Sequence, residues 1–151
     1  MNRIKSMIVV FAAALLAVSC DKETPVVEYL DVTPNNISGQ WQLVKWNGSD
    51  LSEGSYFYMD LVRKETKFTI YQNFDSMADM PHVVTGEFSI ETDAELGAVI
   101  SGMYDHDEGF WAHKYIVRNL TKDSMEWIAS DDPSFVQEFV RVSEIPTSIK
   151  Q

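Results

Sequence analysis

Few residues in this sequence have the types and the spacing that catalysis requires. No serine lies in a nucleophile-elbow context, no histidine pair has the spacing of a zinc site, and no glycine-rich loop could cradle a phosphate. The carboxylates fall in turns and at outward strand positions, so they do not converge on one predicted pocket. The sequence therefore predicts a protein that is not an enzyme and that carries no cofactor.

The densest group of potential metal ligands is Asp105, Asp107 and Glu108, in the stretch DHDEG. Calcium prefers carboxylate oxygens, but this stretch lacks the ligand spacing of an EF-hand loop. Because acidic residues at a hairpin tip are commonly solvated side chains and nothing more, we predict no metal site.

The single cysteine, Cys20, has a clear chemical context. Arg3 and Lys5 precede an apolar run from Met7 to Val18 that is too short to span a bilayer, a pattern typical of a secretory signal over residues 1–20. The final residues, LAVSC, resemble a bacterial lipobox, in which signal peptidase cuts before an acylated cysteine. This resemblance implies a palmitate-type lipid anchor on Cys20. A secreted protein with a free thiol is the alternative.

Residues 21–37 combine two prolines with an acidic bias and no sustained period, which predicts a flexible tether. Asp21, Lys22 and Glu23 resemble the charged export tag of surface lipoproteins from gut Bacteroidetes. The resemblance implies an anchor in the outer membrane with the domain exposed at the cell surface. An anchor that faces the periplasm is the alternative.

The charge of the chain limits its partners. The net charge is -11 at pH 7, and removal of Arg3 and Lys5 with the signal peptide would leave about -13. Nucleic acids and anionic lipid headgroups both require basic patches. We therefore exclude nucleic acid as a partner and expect membrane attachment only through the lipid on Cys20.

Residues 38–151 predict one all-β domain. Apolar residues alternate with period two in runs near 40–46, 55–62, 66–72, 83–90, 97–103, 111–119, 124–130 and 135–143. Short loops between these runs predict an antiparallel, up-and-down β-barrel of eight strands, whose closure would remove both exposed edges. An open sandwich is the alternative architecture.

The first strand carries a family resemblance. Gly39-Gln40-Trp41 resembles the glycine-x-tryptophan that opens lipocalins and related calycin barrels. In order, WQLVKWNG, FTIYQNF, GEFSIE, AVISGMYD, FWAHKYIVRNLTKDSMEW and EFVRVSEIP resemble small lipocalin-like lipoproteins of Bacteroidetes over about residues 38–147. The resemblance departs at the loops 75–81 and 104–109. It implies that Gly39 and Trp41 lie at a closed end of the barrel, where Arg141 packs across the indole.

The inward face predicted by alternation from Trp41 is aromatic and mostly apolar. Such an interior favours a pocket for a small, largely apolar ligand, and we predict the following contacts: Phe57, Phe68, Phe88, His113, Tyr115 and Trp127. His113 and Tyr115 would orient the ligand. The alternative is a packed barrel that uses its outer face, including Tyr56, Tyr58 and Tyr71, and the loops 74–82 and 104–110 to bind another envelope protein or a glycan.

Two tripeptides suggest modification. Asp75-Ser76-Met77 and Asp123-Ser124-Met125 resemble the motif that Bacteroidetes O-glycosylate on exported proteins. This resemblance implies that Ser76 and Ser124 are sugar acceptors.

Overall fold

The computed structural model describes residues 24–73 and 82–151. Cys20, the predicted signal peptide and Ser76 lie outside these ranges. The described chain forms a short helix, α1 (Pro34–Ile37), a 3₁₀ turn at Lys64–Thr66, and the strands β1 (Gly39–Trp46), β2 (Ser49–Asp50), β3 (Phe57–Val62), β4 (Lys67–Gln72), β5 (His82–Asp93), β6 (Gly97–Tyr104), β7 (Tyr115–Arg118), β8 (Ser124–Ala129) and β9 (Asp132–Val142).

The sheet closes into a barrel. Each strand from β3 to β9 pairs antiparallel with the next, β3 pairs with β1, and β1 also pairs with β9, with Trp41 opposite Arg141. The eight strands β1 and β3 to β9 therefore form a closed up-and-down barrel, which confirms the predicted fold and excludes the open sandwich. The short β2 pairs only with the end of β1.

The short strand β2 was not predicted, and it forms a hairpin with the end of β1. Asn47 and Gly48, the two residues between β1 and β2, have φ values of 51° and 77°. Positive φ at both central positions is the type I′ geometry that Asn-Gly favours, because its twist matches that of the flanking strands. The Asn47 amide and carboxamide also bond the Val136 backbone, at 2.7 and 2.8 Å, which ties the hairpin to β9.

The predicted strand at 111–119 was too long at its start. Only Tyr115–Arg118 forms a strand, and Trp111 precedes it in a loop that returns to β6. The Trp111 amide donates to the Gly102 carbonyl at 2.9 Å, and the indole lies directly on Gly102, where a Cβ would overlap the ring. The absence of a side chain at Gly102 lets Trp111 fill the barrel from a loop, and this packing overrides the period-two pattern.

One end of the barrel is closed by residues around Trp41. The Trp41 indole is fully buried, its Nε1 donates to the Ile37 carbonyl at 2.8 Å, and the Arg141 guanidinium lies 4.1 Å above its ring centroid. Gly39 has a φ of 130°, and a Cβ there would collide with Arg141. Gly39, Trp41 and Arg141 therefore form one packed unit at this end.

Part of the predicted tether belongs to the folded domain. The Leu30 amide donates to the Leu120 carbonyl at 2.8 Å, Leu30 and Val32 pack against the core, and Ile37 in α1 is fully buried. The prediction that residues 21–37 are a flexible tether therefore extends too far. The apolar residues of this segment follow no regular period, so the sequence alone does not show that they pack against the barrel.

Candidate functional site

A cavity of about 310 Å³ lies at the end of the barrel opposite Trp41. β1 runs from Gly39 at the closed end to Trp46, so the ends of β1, β4, β6 and β8 and the starts of β3, β5, β7 and β9 meet at this open end. Aromatic side chains form most of the lining, and they are Trp46, Phe57, Tyr104, Trp111, Tyr115, Trp127 and Phe135. Ile70, Gln72, Ala112, His113 and Gln137 complete it.

One wall of the cavity is a continuous aromatic cluster. The Trp127 ring centroid lies 5.6 Å from Trp111, 5.3 Å from Tyr115 and 5.0 Å from Phe139. Trp127 and Tyr115 are on β8 and β7, which lie across the barrel from β4 and β3, the strands that carry Gln72 and Phe57. The cavity is thus a space between an aromatic wall and an opposite wall of mixed chemistry.

Two carboxamides in the lining have unused hydrogen-bonding capacity. Gln72 is 8% exposed and Gln137 is 6% exposed, and neither carboxamide bonds another residue in the described part of the chain. Each carboxamide has two donors and one acceptor with two lone pairs. Both side chains line the cavity, so water or a ligand in it can supply their hydrogen bonds.

The indole nitrogens of Trp111 and Trp127 are also unpaired. Both Nε1 atoms are buried without a hydrogen-bond partner in the described structure. A buried donor without a partner costs about 1 to 3 kcal/mol. Neighbouring aromatic rings pack around the two indoles, with Phe68 at 5.0 Å from Trp111, and this packing offsets the cost of the unpaired donors.

The rim of the cavity carries a histidine paired with a carboxylate. His113 Nδ1 lies 2.8 Å from Asp131 Oδ1, and the imidazole packs 4.8 Å from Phe135. Deeper in the cavity, burial raises the pKa of the Tyr115 phenol to about 12, so this side chain is neutral at physiological pH. No Lys, Arg, Asp or Glu side chain is among the lining residues of the described structure, which makes the interior uncharged below the rim.

Four of the six predicted ligand contacts line this cavity, namely Phe57, His113, Tyr115 and Trp127. Phe68 and Phe88 instead lie in the packed core, with exposures of 1% and 3%. The Phe68 ring packs 5.0 Å from Trp111 without reaching the lining, and Phe88 pairs with Gly102 on β6. Alternation identified their inward direction correctly, but it contains no information on depth along the barrel axis.

Several residues that line the cavity were not predicted from the sequence. Gln72 and Gln137 are in phase with Ile70 and Phe139, so alternation places them inward, but an inward glutamine conflicts with an apolar interior. Trp46 is five residues from Trp41, so alternation places it outward, but it faces the cavity because the register shifts between Leu43 and Lys45. An extra residue at a β-bulge reverses the direction of the following side chains, and no pattern in the sequence marks it.

The remaining predicted sites have the following surroundings. Ser124 opens β8, and its hydroxyl lies 3.0 Å from the Thr121 hydroxyl in a half-buried turn. In the stretch DHDEG, Asp105 accepts a hydrogen bond from Thr85 at 2.6 Å. Within residues 24–73 and 82–151, no three His, Cys, Asp or Glu side chains are grouped in a way that could hold a metal ion. No helix in the same ranges is long and apolar enough to cross a membrane.

Comparison with known proteins yields no relative. No family model matches the chain, and no curated protein or solved structure is significantly similar to it.

Proposed function

We propose that this protein is a lipid-anchored envelope lipoprotein whose barrel binds a small, largely apolar ligand in the cavity at its open end. The observation that carries the proposal is the cavity of about 310 Å³, with its aromatic wall and its two unpaired carboxamides. Ligand pockets are typically concave, mostly apolar and supplied with a few polar groups that fix orientation. The proposed role is binding and not catalysis.

The cavity is much larger than a packing defect. Protein interiors contain few voids larger than a water molecule. At about 30 Å³ of liquid volume per water, this space corresponds to roughly ten water molecules. Release of these waters from an aromatic wall when an apolar ligand enters would favour binding.

A cavity-filling substitution tests the proposal. Ala112 lines the cavity and is itself exposed, so Ala112→Trp adds volume at the opening without disturbing the core. The purified full chain is titrated with N-phenyl-1-naphthylamine, a neutral apolar dye whose fluorescence rises in an apolar site. We expect saturable binding to the wild type and at least a tenfold loss of affinity in Ala112→Trp. Ala94→Trp is the matched control, because Ala94 is exposed in the turn between β5 and β6, at the closed end. Equal affinity in all three proteins would refute binding in this cavity.

The lipid anchor is tested separately. Cys20→Ser removes the sulfur that the lipobox resemblance assigns to acylation. We expect loss of metabolic labelling by an alkyne-tagged palmitate and release of the protein from the membrane fraction, whereas Ser19→Ala retains both. Protease treatment of intact cells then distinguishes an anchor exposed at the cell surface from one that faces the periplasm. Unchanged labelling of Cys20→Ser would refute the anchor.

A second candidate function is surface recognition of an envelope protein or a glycan. It is favoured by three tyrosines on the outer face: Tyr58 lies opposite Tyr71 on the neighbouring strand, and the Tyr56 and Tyr58 rings are 6.2 Å apart. Tyrosine is enriched at recognition surfaces. Cross-linking in intact membranes should lose its partner with Tyr58→Ala and Tyr71→Ala, but not with Tyr29→Ala, which alters an exposed tyrosine before the barrel. No partner in the wild type would exclude this function.

A further inference from the structure

We infer that the cavity selects a neutral, planar heteroaromatic molecule that carries a hydrogen-bond donor and acceptor on its edge, the chemistry of a fused-ring lactam. This inference rests on the proposed ligand-binding function and specifies its ligand class. It depends on three properties of the cavity: an aromatic wall, two unpaired carboxamides on largely buried side chains, and the absence of charge from the lining described above.

The aromatic wall favours a flat ligand. Tyr115 and Trp127 are inclined to each other by 31°, with centroids 5.3 Å apart, and Trp111 is inclined to Trp127 by 35°. Trp111 and Tyr115 are inclined to each other by 59°, so the three rings form a curved aromatic surface centred on Trp127. A planar ring system can stack in an offset arrangement on one of these rings, whereas a branched aliphatic molecule contacts only part of a ring face.

The two carboxamides favour a ligand with a polar edge. Gln137 pairs across the sheet with both Trp127 and Trp46, so it borders the aromatic wall directly. Gln72 lies on β4, opposite Phe57 and across the barrel from β8. A flat ligand stacked on Trp127 therefore has one carboxamide beside it and one facing it.

The cost of removing water from these carboxamides makes the cavity select polar-edged ligands over apolar ones. Water in the cavity can satisfy both groups when no ligand is bound. An apolar ligand that displaces this water leaves buried donors and acceptors without partners, and such groups are expensive. A lactam replaces the lost bonds, since its N–H donates to a carboxamide oxygen and its carbonyl accepts from a carboxamide N–H.

The lack of positive charge in the lining disfavours carboxylates such as fatty acids. A buried carboxylate needs a cation or several hydrogen bonds to charged donors. The lining contains no Lys or Arg among the described residues, and its imidazole, His113, is bonded to Asp131 at the rim. The chain is also strongly acidic, with a net charge of -11. An anionic ligand would enter this cavity without compensation.

Three bicyclic probes of similar shape test the inference. Quinolin-2(1H)-one carries the lactam edge, naphthalene lacks it, and 2-naphthoate replaces it with a charge. Binding of each probe to the purified full chain is measured by isothermal titration calorimetry. We expect quinolinone to bind at least tenfold more tightly than naphthalene, and 2-naphthoate to bind most weakly.

Two substitutions assign the selectivity to the carboxamides. Gln137→Leu and Gln72→Leu keep the size of the side chain and remove its polar atoms. Each should weaken quinolinone binding by about three- to tenfold, as expected for one lost hydrogen bond, while naphthalene binds at least as well as before. Gln42→Leu is the matched control, since Gln42 alternates with Trp41 and Leu43 on the outer face of β1. Thermal unfolding of each variant establishes that it is folded.

The outcomes separate this inference from the proposed function. If naphthalene or 2-naphthoate binds as tightly as quinolinone, or if both glutamine variants bind quinolinone normally, the ligand class is wrong and cavity binding stands. If no probe binds and the naphthylamine dye also fails to bind, the proposed function itself is refuted. Selective loss of quinolinone affinity in the glutamine variants would support both.

Discussion

Arg141 should be a major stabilising residue of the barrel. Its guanidinium donates to the carbonyls of Lys122 at 2.6 Å, Asn36 at 2.9 Å and Ser38, and it lies over the Trp41 ring. The bonds join the last strand to the segment before the barrel and to the loop between β7 and β8, and the contact with Trp41 adds the first strand. At about 1 kcal/mol for each net hydrogen bond and roughly 0.5 to 1 kcal/mol for the cation–π contact, the gross contribution is about 4 kcal/mol. Burial lowers the pKa of the guanidinium, which shows that desolvation offsets part of this gain.

Arg141→Met keeps the aliphatic packing and removes the donors and the charge. We expect a loss of about 2 to 3 kcal/mol in the free energy of unfolding, measured by urea denaturation, and a fall in Tm of roughly 10 °C. Arg141→Lys should recover little, because an ammonium lacks the planar fork that reaches three carbonyls at once. Arg118→Met is the control, as Arg118 is exposed on β7. A stability of Arg141→Met within about 0.5 kcal/mol of the wild type, the usual range for surface substitutions, would refute the reasoning.

Three further predictions concern local packing and pH. Gly102→Ala should cost about 1 to 3 kcal/mol of unfolding free energy, because the added methyl overlaps the Trp111 indole, and it should also weaken dye binding; unchanged urea midpoints would contradict this. Since burial raises the pKa of Tyr115 to about 12, its phenol binds a proton in the folded state that the unfolded chain releases above pH 10. Between pH 10 and pH 12 the wild type should therefore lose up to about 2 kcal/mol relative to Tyr115→Phe, and parallel pH profiles would exclude the effect. Gly39→Ala should destabilise more than Gly48→Ala, because both have positive φ but only Gly39 is covered by a guanidinium; equal losses would show that the contact is unimportant.

Most of the wall of the barrel was predictable from local pattern. Trp41 and Leu43, or Met59 and Leu61, alternate with polar neighbours, and each pair is buried in the structure. The boundaries of β3, β4 and β8 agree with the predicted runs to within two residues. Side chains in a strand point alternately to opposite faces, so the burial direction of each residue is a local property once one inward residue is known.

The cavity was only partly predictable. Trp46 enters the lining because of a bulge, and Trp111 enters it because Gly102 leaves room for an indole from a loop. Gln72 and Gln137 face inward against their polarity. These departures depend on contacts between distant segments of the chain, which a local period does not contain.

By itself, the sequence determined most of the strands, the direction of most of their side chains, and the antiparallel order that short loops enforce between neighbours. Only the tertiary structure decided that β1 pairs with β9, that residues 30–37 cover the closed end, and that the aromatic side chains leave a cavity beside two unpaired glutamines. The physical reason is one of range. Alternation and turn chemistry act between residues a few positions apart, whereas closure and the volume left unfilled depend on how the side chains of all eight strands share one interior.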